Sequence, residues 1–569
     1  LIRERVAQLP AASGRALVAA AVVGREFRGQ LVAEMLELAE LGDALLPALR
    51  LGVISTAGID RYRFSHALVA ESIADDLEPG AAAQLHVRAA RAIERRGVPD
   101  DAVTRVAHHL LAAGSIAAAD AVVAAERAAD AAFHQLAFED AHLLLSRALE
   151  ALALAAPPDR RSRARLLCGQ AEALQHAEEH TRAARSCDDA AAIARALGDG
   201  DLLARIALVR GLEARYGRTD PLLVEALREA LIGVEHPTLR AKLLARLAAA
   251  EQPAADPRGP IARAHEAIEL ARTLPPRDRL DVTYVAISAL IEYVPLETLE
   301  PLQREVLELA RGVDRKITVH SLLRLCFSVL ARIDRAGYEV AVAAFTAEAQ
   351  ALGLPQWTRQ VEMLAAMTAV LDGRFADADR HATVAEASAR GNDNVLFPIR
   401  IHRALARSIR AQPISPEDEA TIATFTPGLR PTAAWLATRR GERDQVREAL
   451  ALCAPEAILD PPMCVMIVNA VAFVGDRVRA ASLYDLLRDH AGGVVIASLV
   501  GLNVFDLYDR MLLVLATATE RWDAIDGHAE SALDVARRLA SPVWIAHVRA
   551  DWADALDRRA RDGDRARAV

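Results

Sequence analysis

Lysine is almost absent from this 569-residue chain, in which Lys242 and Lys316 are the only two lysines. A phosphate-binding loop needs a lysine directly after a glycine-rich turn, and neither lysine has such a turn before it. The chain by itself is therefore expected neither to bind ATP tightly nor to hydrolyse it, and we predict that it is not an enzyme.

Cysteine is scarce as well, and its spacing excludes the usual thiolate sites. The sequence contains no Cys-x-x-Cys pair and no cysteine at metal-ligand spacing from histidine. Disulfides are rare in reducing compartments. We therefore interpret five residues as buried free thiols of a cytoplasmic protein: Cys168, Cys187, Cys326, Cys453 and Cys464.

Long apolar runs are missing too. The longest uncharged stretches, residues 461–475 and 491–505, have about 15 residues, whereas a bilayer span needs about 18 to 20. We expect both to be buried helices and predict no membrane association. The first residues carry charge where a signal peptide needs an apolar core, and residue 1 is not methionine, so we expect a piece of a longer protein.

Aromatic residues make up 4% of the chain although hydrophobic residues make up 53%, so the apolar content is mainly Ala, Leu and Val. Alanine and leucine are strong helix formers, which predicts an all-α protein. The net charge of -9 and the pI of about 6.0 argue against a broad nucleic-acid-binding surface.

One spacing recurs along the chain: a first residue that is aromatic or threonine, an alanine or isoleucine three positions later, and an alanine seven positions after that. It begins at Phe138, Thr181, Phe375 and Trp522. The interval from Phe138 to Thr181 is 43 residues, which is typical of somewhat long tetratricopeptide-like helix pairs. We predict a helical connector over residues 81–130 and an α-solenoid over 131–569, each pair packing on the next. Repeat boundaries within 202–350 stay open.

Residues 1–80 have a different pattern from the repeats. Tyr62 and Phe64 alternate with Arg61 and Arg63, as in a half-buried strand, and helical spacing follows from residue 67. Residues 51–55 supply a second strand, and 12–23, 28–38 and 43–50 read as helices. Three helices, a two-stranded wing and a following helix predict a winged-helix domain over residues 1–80, with the only strands of the chain.

The sequences LPAASGRALVAAAVVGREF and YRFSHALVAESIADDL, in this order, resemble the winged-helix segment of signal-transduction ATPases with numerous domains. This class includes LuxR-type transcriptional activators and AAA-linked nucleotide cyclases. LAFEDAHLLLSRALEAL resembles a tetratricopeptide repeat. The resemblance implies the winged-helix and helical-repeat sensor arm of an ATP-dependent transcriptional regulator, whose ATPase core lies upstream and binds ATP or ADP. The alternatives are the same arm of a class III adenylate or guanylate cyclase, or a stand-alone repeat scaffold.

The resemblance also implies partners and one site residue. The solenoid's concave face would bind a protein partner or a small-molecule inducer, and the N-terminal domain would contact its own upstream ATPase domain. Phe64-Ser-His66 matches a Phe-x-His motif whose histidine contacts the ADP phosphates and holds the closed state. A helix beginning after His66 would favour an anion. The alternative is a histidine that caps its helix or packs against the wing.

Other candidate residues receive structural interpretations. Glu71, Asp75 and Asp76 follow the wing with no Arg or Lys, so this helix would repel phosphates and we expect no contact with nucleic acid.

Five histidines could suggest metal sites, but no third ligand is apparent at the i, i+4 pair. We predict no metal site and no catalytic residue, and interpret them as surface histidines: His86, His108, His109, His176 and His180.

Overall fold

The computed structural model divides the chain into two compact units, residues 1–213 and 214–569. It describes residues 8–96, 102–154, 159–212, 219–252, 254, 256–291, 293–389, 393–426, 429–453, 457–458, 460–497, 503–561 and 563–568. The predicted all-α, tetratricopeptide-like architecture is confirmed, because helices with short turns make up most of both units.

The first unit begins with a small mixed domain. Its elements are α1 (Ala11–Val23), β1 (Glu26–Arg28), α2 (Gly29–Met35), α3 (Gly42–Arg50), β2 (Ile54–Gly58), β3 (Arg61–Phe64) and α4 (Ala67–Asp75). The strands form an antiparallel sheet in the order β1-β3-β2, with Phe27 opposite Tyr62 and Ile54 opposite Phe64.

This sheet corrects two details of the prediction. It has three strands where two were expected, because residues 26–28, assigned in part to a helix, pair with β3 and bury Phe27. The second strand begins at Ile54 and runs to Gly58, since residues 51–53 form a turn after α3. The alternation along β3 is as predicted: Phe64 is buried, Tyr62 is half-buried and the two arginines are exposed.

Helices occupy the rest of the first unit. They are α5 (Pro79–Arg95), α6 (Ala102–Ala112), a 3-10 turn (Gly114–Ala117), α7 (Ala118–His134), α8 (Phe138–Ala153), α9 (Arg160–His176), α10 (His180–Leu197) and α11 (Gly200–Arg210). One hydrophobic cluster joins the sheet to these helices through Phe64, Ala89, Ala121 and Ala151. The sheet is therefore part of the first unit's core.

The second unit begins with a regular series of helices. They are α12 (Pro221–Gly233), α13 (Pro237–Ala250), α14 (Arg258–Ala271), α15 (Pro276–Ala286) with a 3-10 turn (Ile287–Ala289), α16 (Leu296–Ala310), α17 (Arg315–Ala331), α18 (Arg335–Leu352), α19 (Pro355–Leu371), α20 (Phe375–Ala387) and α21 (Asp393–Ile409). Alternate helices α13, α15, α17 and α19 start at residues 237, 276, 315 and 355, and thus at nearly equal intervals. The middle of the chain, whose repeats the sequence did not locate, therefore has a period of about 39 residues.

The second unit ends with shorter helices and a hairpin. Its remaining elements are α22 (Pro416–Phe425), α23 (Arg430–Arg440), α24 (Arg443–Ala451), α25 (Pro461–Val474), α26 (Arg477–Leu487), a 3-10 turn (Arg488–His490), β4 (Val494–Ala497), β5 (Asn503–Leu507), α27 (Tyr508–Ala518), α28 (Ile525–Arg538), α29 (Pro542–Arg559) and α30 (Asp564–Ala568). Residues 461–474 form a buried helix, as predicted.

The hairpin overturns the expectation of a helix over residues 491–505 and of strands confined to residues 1–80. Strands β4 and β5 pair antiparallel, with Val494 opposite Leu507. Gly492 and Gly493 interrupt the helical pattern, and the β-branched residues that follow favour an extended chain. Every residue of β5 is buried.

Packing in the second unit also departs from the predicted pair-on-next-pair arrangement. A single hydrophobic cluster contains Leu323 and Met363 together with Val504, Leu533 and Trp544, which lie far away in sequence. The hydroxyl of Ser541 donates a 2.6 Å hydrogen bond to the carbonyl of Leu371. The C-terminal hairpin and helices therefore pack on helices α17 to α19, and not only on their sequence neighbours.

Eight turns between successive helices share one geometry. Each has a residue with positive φ two positions before the second helix begins: Leu136, Glu178, Gly198, Ile333, Gly373, Gly441, Gly475 and Ala540. The next residue's N–H donates to the carbonyl five positions earlier, as from Ala137 to Ala132 and from Asp476 to Val471. This is the Schellman arrangement, which satisfies the last carbonyls of the first helix.

These turns correct the register of one predicted repeat. Since Leu136 precedes Phe138 by two positions, Glu178 makes His180, and not Thr181, the equivalent of Phe138. Thr181 is exposed. The buried stripe of α10 consists instead of Ala183, Cys187, Ala190 and Ala194. The spacings that begin at Phe138, Phe375 and Trp522 match buried positions as predicted: Ala141 and Ala148, Ala378 and Ala385, and Ile525 and Ala532.

Two further observations concern the thiols and the membrane. Four cysteines are buried and Cys453 is half-buried, and burial raises the pKa of the Cys187, Cys326 and Cys464 thiols to about 12. In the described ranges, no helix combines the length and the apolarity that a bilayer crossing requires.

Candidate functional site

The junction between β3 and α4 is held by the sheet core beneath it. Phe64 is fully buried, and its ring centroid lies 5.6 Å from that of Phe27. The Phe64 N–H donates to the Arg25 carbonyl at 2.9 Å, and the Ser65 N–H donates to the Val53 carbonyl at 3.0 Å. The backbone that enters α4 is therefore fixed on both sides.

His66 is the next residue and precedes the first turn of α4. Its backbone is extended, with φ -135° and ψ 144°, and its carbonyl accepts the Val69 N–H at 3.0 Å. The imidazole is exposed and makes no capping hydrogen bond to α4. Within the described ranges, the role of helix cap therefore has no hydrogen bond that supports it. The contact with ADP stays a prediction.

The turn before β3 is fixed by the start of α2. Asp60 accepts the Gln30 N–H through its carboxylate at 3.1 Å, and its carbonyl accepts the Gly29 N–H at 3.1 Å. A Cβ at position 29 would lie 2.6 Å from an Asp60 carboxylate oxygen and 3.0 Å from the Tyr62 ring, so a larger residue there would displace the Asp60 side chain from this turn. Arg96 donates to Glu34 at 2.8 Å and joins the end of α5 to α2.

Charge on α4 is as predicted: Glu71, Asp75 and Asp76 are exposed. Arg61 and Arg63 are exposed on the neighbouring strand, and Arg63 forms a 2.6 Å ion pair with Glu26. Arg61 and His66 thus precede the first turn of α4, whereas the carboxylates of α4 lie further along it. Of the two ends of this helix, the strand end therefore has the charges that favour an anion.

The histidines do not behave as one set of surface residues. His109 is 2% exposed, which corrects its interpretation as a surface residue, and its Nδ1 lies 3.0 Å from Nδ1 of His86. Burial, then the neighbouring His86, His108 and Arg105, lower the pKa of His109 to about 3. A neutral imidazole pair results, in which His109 is buried and His86 is half-buried.

His176 and His180 do not share one helix, because the turn at Glu178 separates α9 from α10. His176 stacks on Phe138 with ring centroids 4.8 Å apart, and His180 contacts the Gln175 side-chain oxygen at 2.8 Å. The i, i+4 arrangement therefore does not form. Within the residues described, no three His, Cys, Asp or Glu side chains lie together as a metal site.

A polar cluster in the second unit was missed at the sequence level. It connects the alternate helices α13, α15, α17 and α19 through Arg246, Tyr284, His320, Arg324 and Trp357. Arg246 and Arg324 occupy the same place in α13 and α17, which are two repeats apart. A correct repeat alignment of residues 202–350 would have placed both arginines on equivalent helices.

No protein-family model matches the sequence, and no curated protein matches it either. Among solved structures, the chain is similar to a signal transduction ATPase with numerous domains that has a tetratricopeptide repeat sensor, from Pyrococcus horikoshii. The match has 11% identity and a TM-score of 0.36, and covers 79% of this chain and 66% of that protein, which is less than two thirds of its length.

Two further solved structures are similar at the same level. Aspartyl phosphate phosphatase F from Bacillus subtilis has 12% identity and a TM-score of 0.33, with 59% of this chain and 93% of that chain covered. A Rap protein solved in complex with competence and sporulation factor has 12% identity and a TM-score of 0.36, with 74% and 99% covered.

Proposed function

We propose that this chain is the winged-helix and helical-repeat arm of an ATP-dependent transcriptional regulator of the signal-transduction ATPase class. The helical repeats would bind a protein partner or a small-molecule inducer. The N-terminal sheet domain would contact the nucleotide of an ATPase domain outside this chain. Ligand binding would then favour one of two states, provided that the ligand has a higher affinity for that state.

The observation that carries the proposal is the exposure of His66 at a fixed backbone position. Phe64 anchors the strand in the core, and the next turn begins a helix, so the imidazole projects from a rigid junction. An imidazole and the N–H groups of a helix start are donors that suit phosphate oxygens. The phosphates of ADP would supply the acceptors. The His66 imidazole and the N–H groups at the start of α4 would supply the donors.

The proposed role of His66 in the closed state is to hold the β3–α4 junction against the nucleotide. A hydrogen bond from this imidazole to a phosphate is charge-assisted and would contribute about 1.5 to 3 kcal/mol. The free energy difference corresponds to roughly a 10- to 150-fold shift in the equilibrium between closed and open states. Since the side chain has no capping bond to α4, its removal should have little effect on folding.

The test is His66→Ala in the longer protein that carries the ATPase domain. We expect ADP to dissociate roughly 10- to 150-fold faster, with an unchanged melting temperature. His134→Ala is the matched control, because His134 is another exposed histidine of the first unit. A lower melting temperature with a normal ADP dissociation rate would assign His66 to the fold and refute the nucleotide contact.

A further inference from the structure

The polar cluster of the second unit is connected by direct contacts. The Arg324 guanidinium donates to the Tyr284 carbonyl at 2.9 Å and to the Ser288 hydroxyl at 2.6 Å, and lies 4.8 Å from the Tyr284 ring centroid. The Tyr284 hydroxyl lies 2.5 Å from Nδ1 of His320. The His320 ring centroid is 5.7 Å from that of Trp357.

Arg246 lies beside this network without the contacts that hold Arg324. In the part of the chain that the structure describes, Arg246 forms no ion pair, and its Nε is inaccessible to solvent and has no hydrogen-bond partner. Burial lowers the pKa of the Arg246 guanidinium, and the neighbouring positive charge of Arg324 lowers it further. A desolvated cation with an unused donor is costly unless an acceptor is present.

No carboxylate among the described residues neutralises this position. Asp314 is close enough to raise the pKa of the Tyr284 hydroxyl, but burial raises that pKa more. The Asp314 carboxylate already accepts from Arg277 at 3.1 Å and caps α17 through the Ile317 N–H. Tyr284 therefore stays neutral, and Asp314 is engaged elsewhere.

The aromatic side of the cluster also has a donor without an acceptor. Trp357 is 8% exposed and its indole Nε1 has no hydrogen-bond partner among the described residues. Arg246, Tyr284 and His320 are half-buried, so the cluster is reachable from solvent even though its donors are largely desolvated. Planar rings beside cationic groups provide stacking surface for a ligand body.

We propose that Arg246, together with the positive charge of Arg324, binds an oxyanion of a small organic ligand, either a carboxylate or a phosphate. The oxygens would accept from the unused donor of Arg246 and offset the two positive charges. The proposal rests on the assignment of ligand binding to the repeats, and it names the ligand class. It does not depend on the nucleotide contact of His66.

The test uses the full chain with acetate and inorganic phosphate as probes, against chloride at the same ionic strength. We expect at least one probe to raise the melting temperature above that in chloride, and calorimetric titration to show saturable binding. The more effective probe distinguishes a carboxylate ligand from a phosphate ligand. Arg246→Met should weaken probe binding about 10-fold or more, whereas Arg246→Lys should retain part of it.

The matched control is Arg240→Met, because Arg240 is exposed on the same helix α13 and should not alter probe binding. In chloride, Arg246→Met should melt at the same or a higher temperature than the parent chain, since it removes an uncompensated desolvated charge. The proposal is wrong if neither probe binds more strongly than chloride, or if Arg246→Met keeps the full response. His66→Ala should leave the binding of acetate and phosphate unchanged. The oxyanion proposal and the ADP proposal can therefore be refuted independently.

Discussion

At the scale of single residues, burial changes the chemistry of His109 more than its sequence neighbours do. Its ring is 2% exposed, and Nδ1 shares a 3.0 Å contact with Nδ1 of His86. One of these nitrogens must donate and the other accept, so the two rings cannot both be protonated in this geometry. The unfolded chain has no such restriction, and there the pKa of His109 would lie near its ordinary value of 6.5.

The sign of the resulting pH dependence follows from proton binding. Because the pKa of His109 falls from an ordinary 6.5 to about 3 in the folded protein, the unfolded chain binds more protons between these values. Stability contributed by the neutral pair is thus present above 6.5 and lost as the pH falls toward 3. The loss approaches about 1.4 kcal/mol per pH unit.

We therefore expect His109→Gln to reduce the acid sensitivity of the first unit, since glutamine keeps a polar group opposite His86 and does not titrate. The measurement is the free energy of unfolding by denaturant at about pH 7 and at about pH 5. His134→Gln, at an exposed histidine, should keep the parental pH dependence. Equal acid sensitivity in His109→Gln and the parent chain would contradict the assignment of this pH dependence to His109.

Individual side chains differ in how far the sequence defines them. The burial of Phe64 and the position of His66 were predictable, because the hydrophobic period changes from two to helical spacing between them. The burial of His109 was not, since its place in the core depends on packing between α5 and α6. Arg246 was missed for a related reason: its environment is formed by helices from three different repeats.

At the scale of elements, the left-handed residue between successive helices marks a helix boundary more reliably than the bulky-small-alanine spacing. Glycine occupies this position at 198, 373, 441 and 475, but Leu136, Glu178, Ile333 and Ala540 occupy it elsewhere. Residues with a Cβ occupy several of these positions in spite of the backbone strain. A search for glycine alone therefore misses them. The one-residue error at Thr181 follows directly, because Glu178 gives no signal of a turn.

Substitutions at this position should affect stability differently according to the residue that is replaced. Gly441 has φ +78° and space around it for a Cβ, so Gly441→Ala should destabilise the second unit by backbone strain alone, by about 1 kcal/mol. Ala540 has φ 53° and is exposed, so Ala540→Gly should stabilise the second unit or leave it unchanged, because released strain offsets lost chain stiffness. Denaturant unfolding measures both.

The control for this pair is Gly527→Ala, within α28, where the backbone is helical and no atom lies within 4 Å of the added Cβ. It should stabilise by up to about 1 kcal/mol, since alanine is the better helix former. A destabilising effect at Gly527 equal to that at Gly441 would show that strain is not the cause.

At the scale of the whole molecule, the helical-repeat class was predictable from composition, but the packing of the second unit was not. Alanine and leucine in place of aromatics predict closely packed helices, and alternate helices from α13 to α19 do begin at nearly equal intervals. The packing of β4, β5, α28 and α29 on helices α17 to α19 joins positions far apart in sequence, as at Ser541 and Leu371. A repeat pattern describes neighbours and carries no information about such long-range contacts.

Trp544→Ala distinguishes this long-range packing from an array in which each helix pair contacts only the next pair. Trp544 is 3% exposed in the cluster that also contains Met363 and Leu323, and its loss should cost about 3 to 5 kcal/mol. Hydrogen exchange of the full chain should then increase in α19 as well as in α29, since both helices lose the same contact. Trp522→Ala, at a half-buried tryptophan that packs in a different cluster with Ile525 and Leu556, is the control and should leave α19 protected. In an array where each pair contacts only the next, faster exchange after Trp544→Ala would stay confined to α28, α29 and α30, and that result would refute the long-range packing.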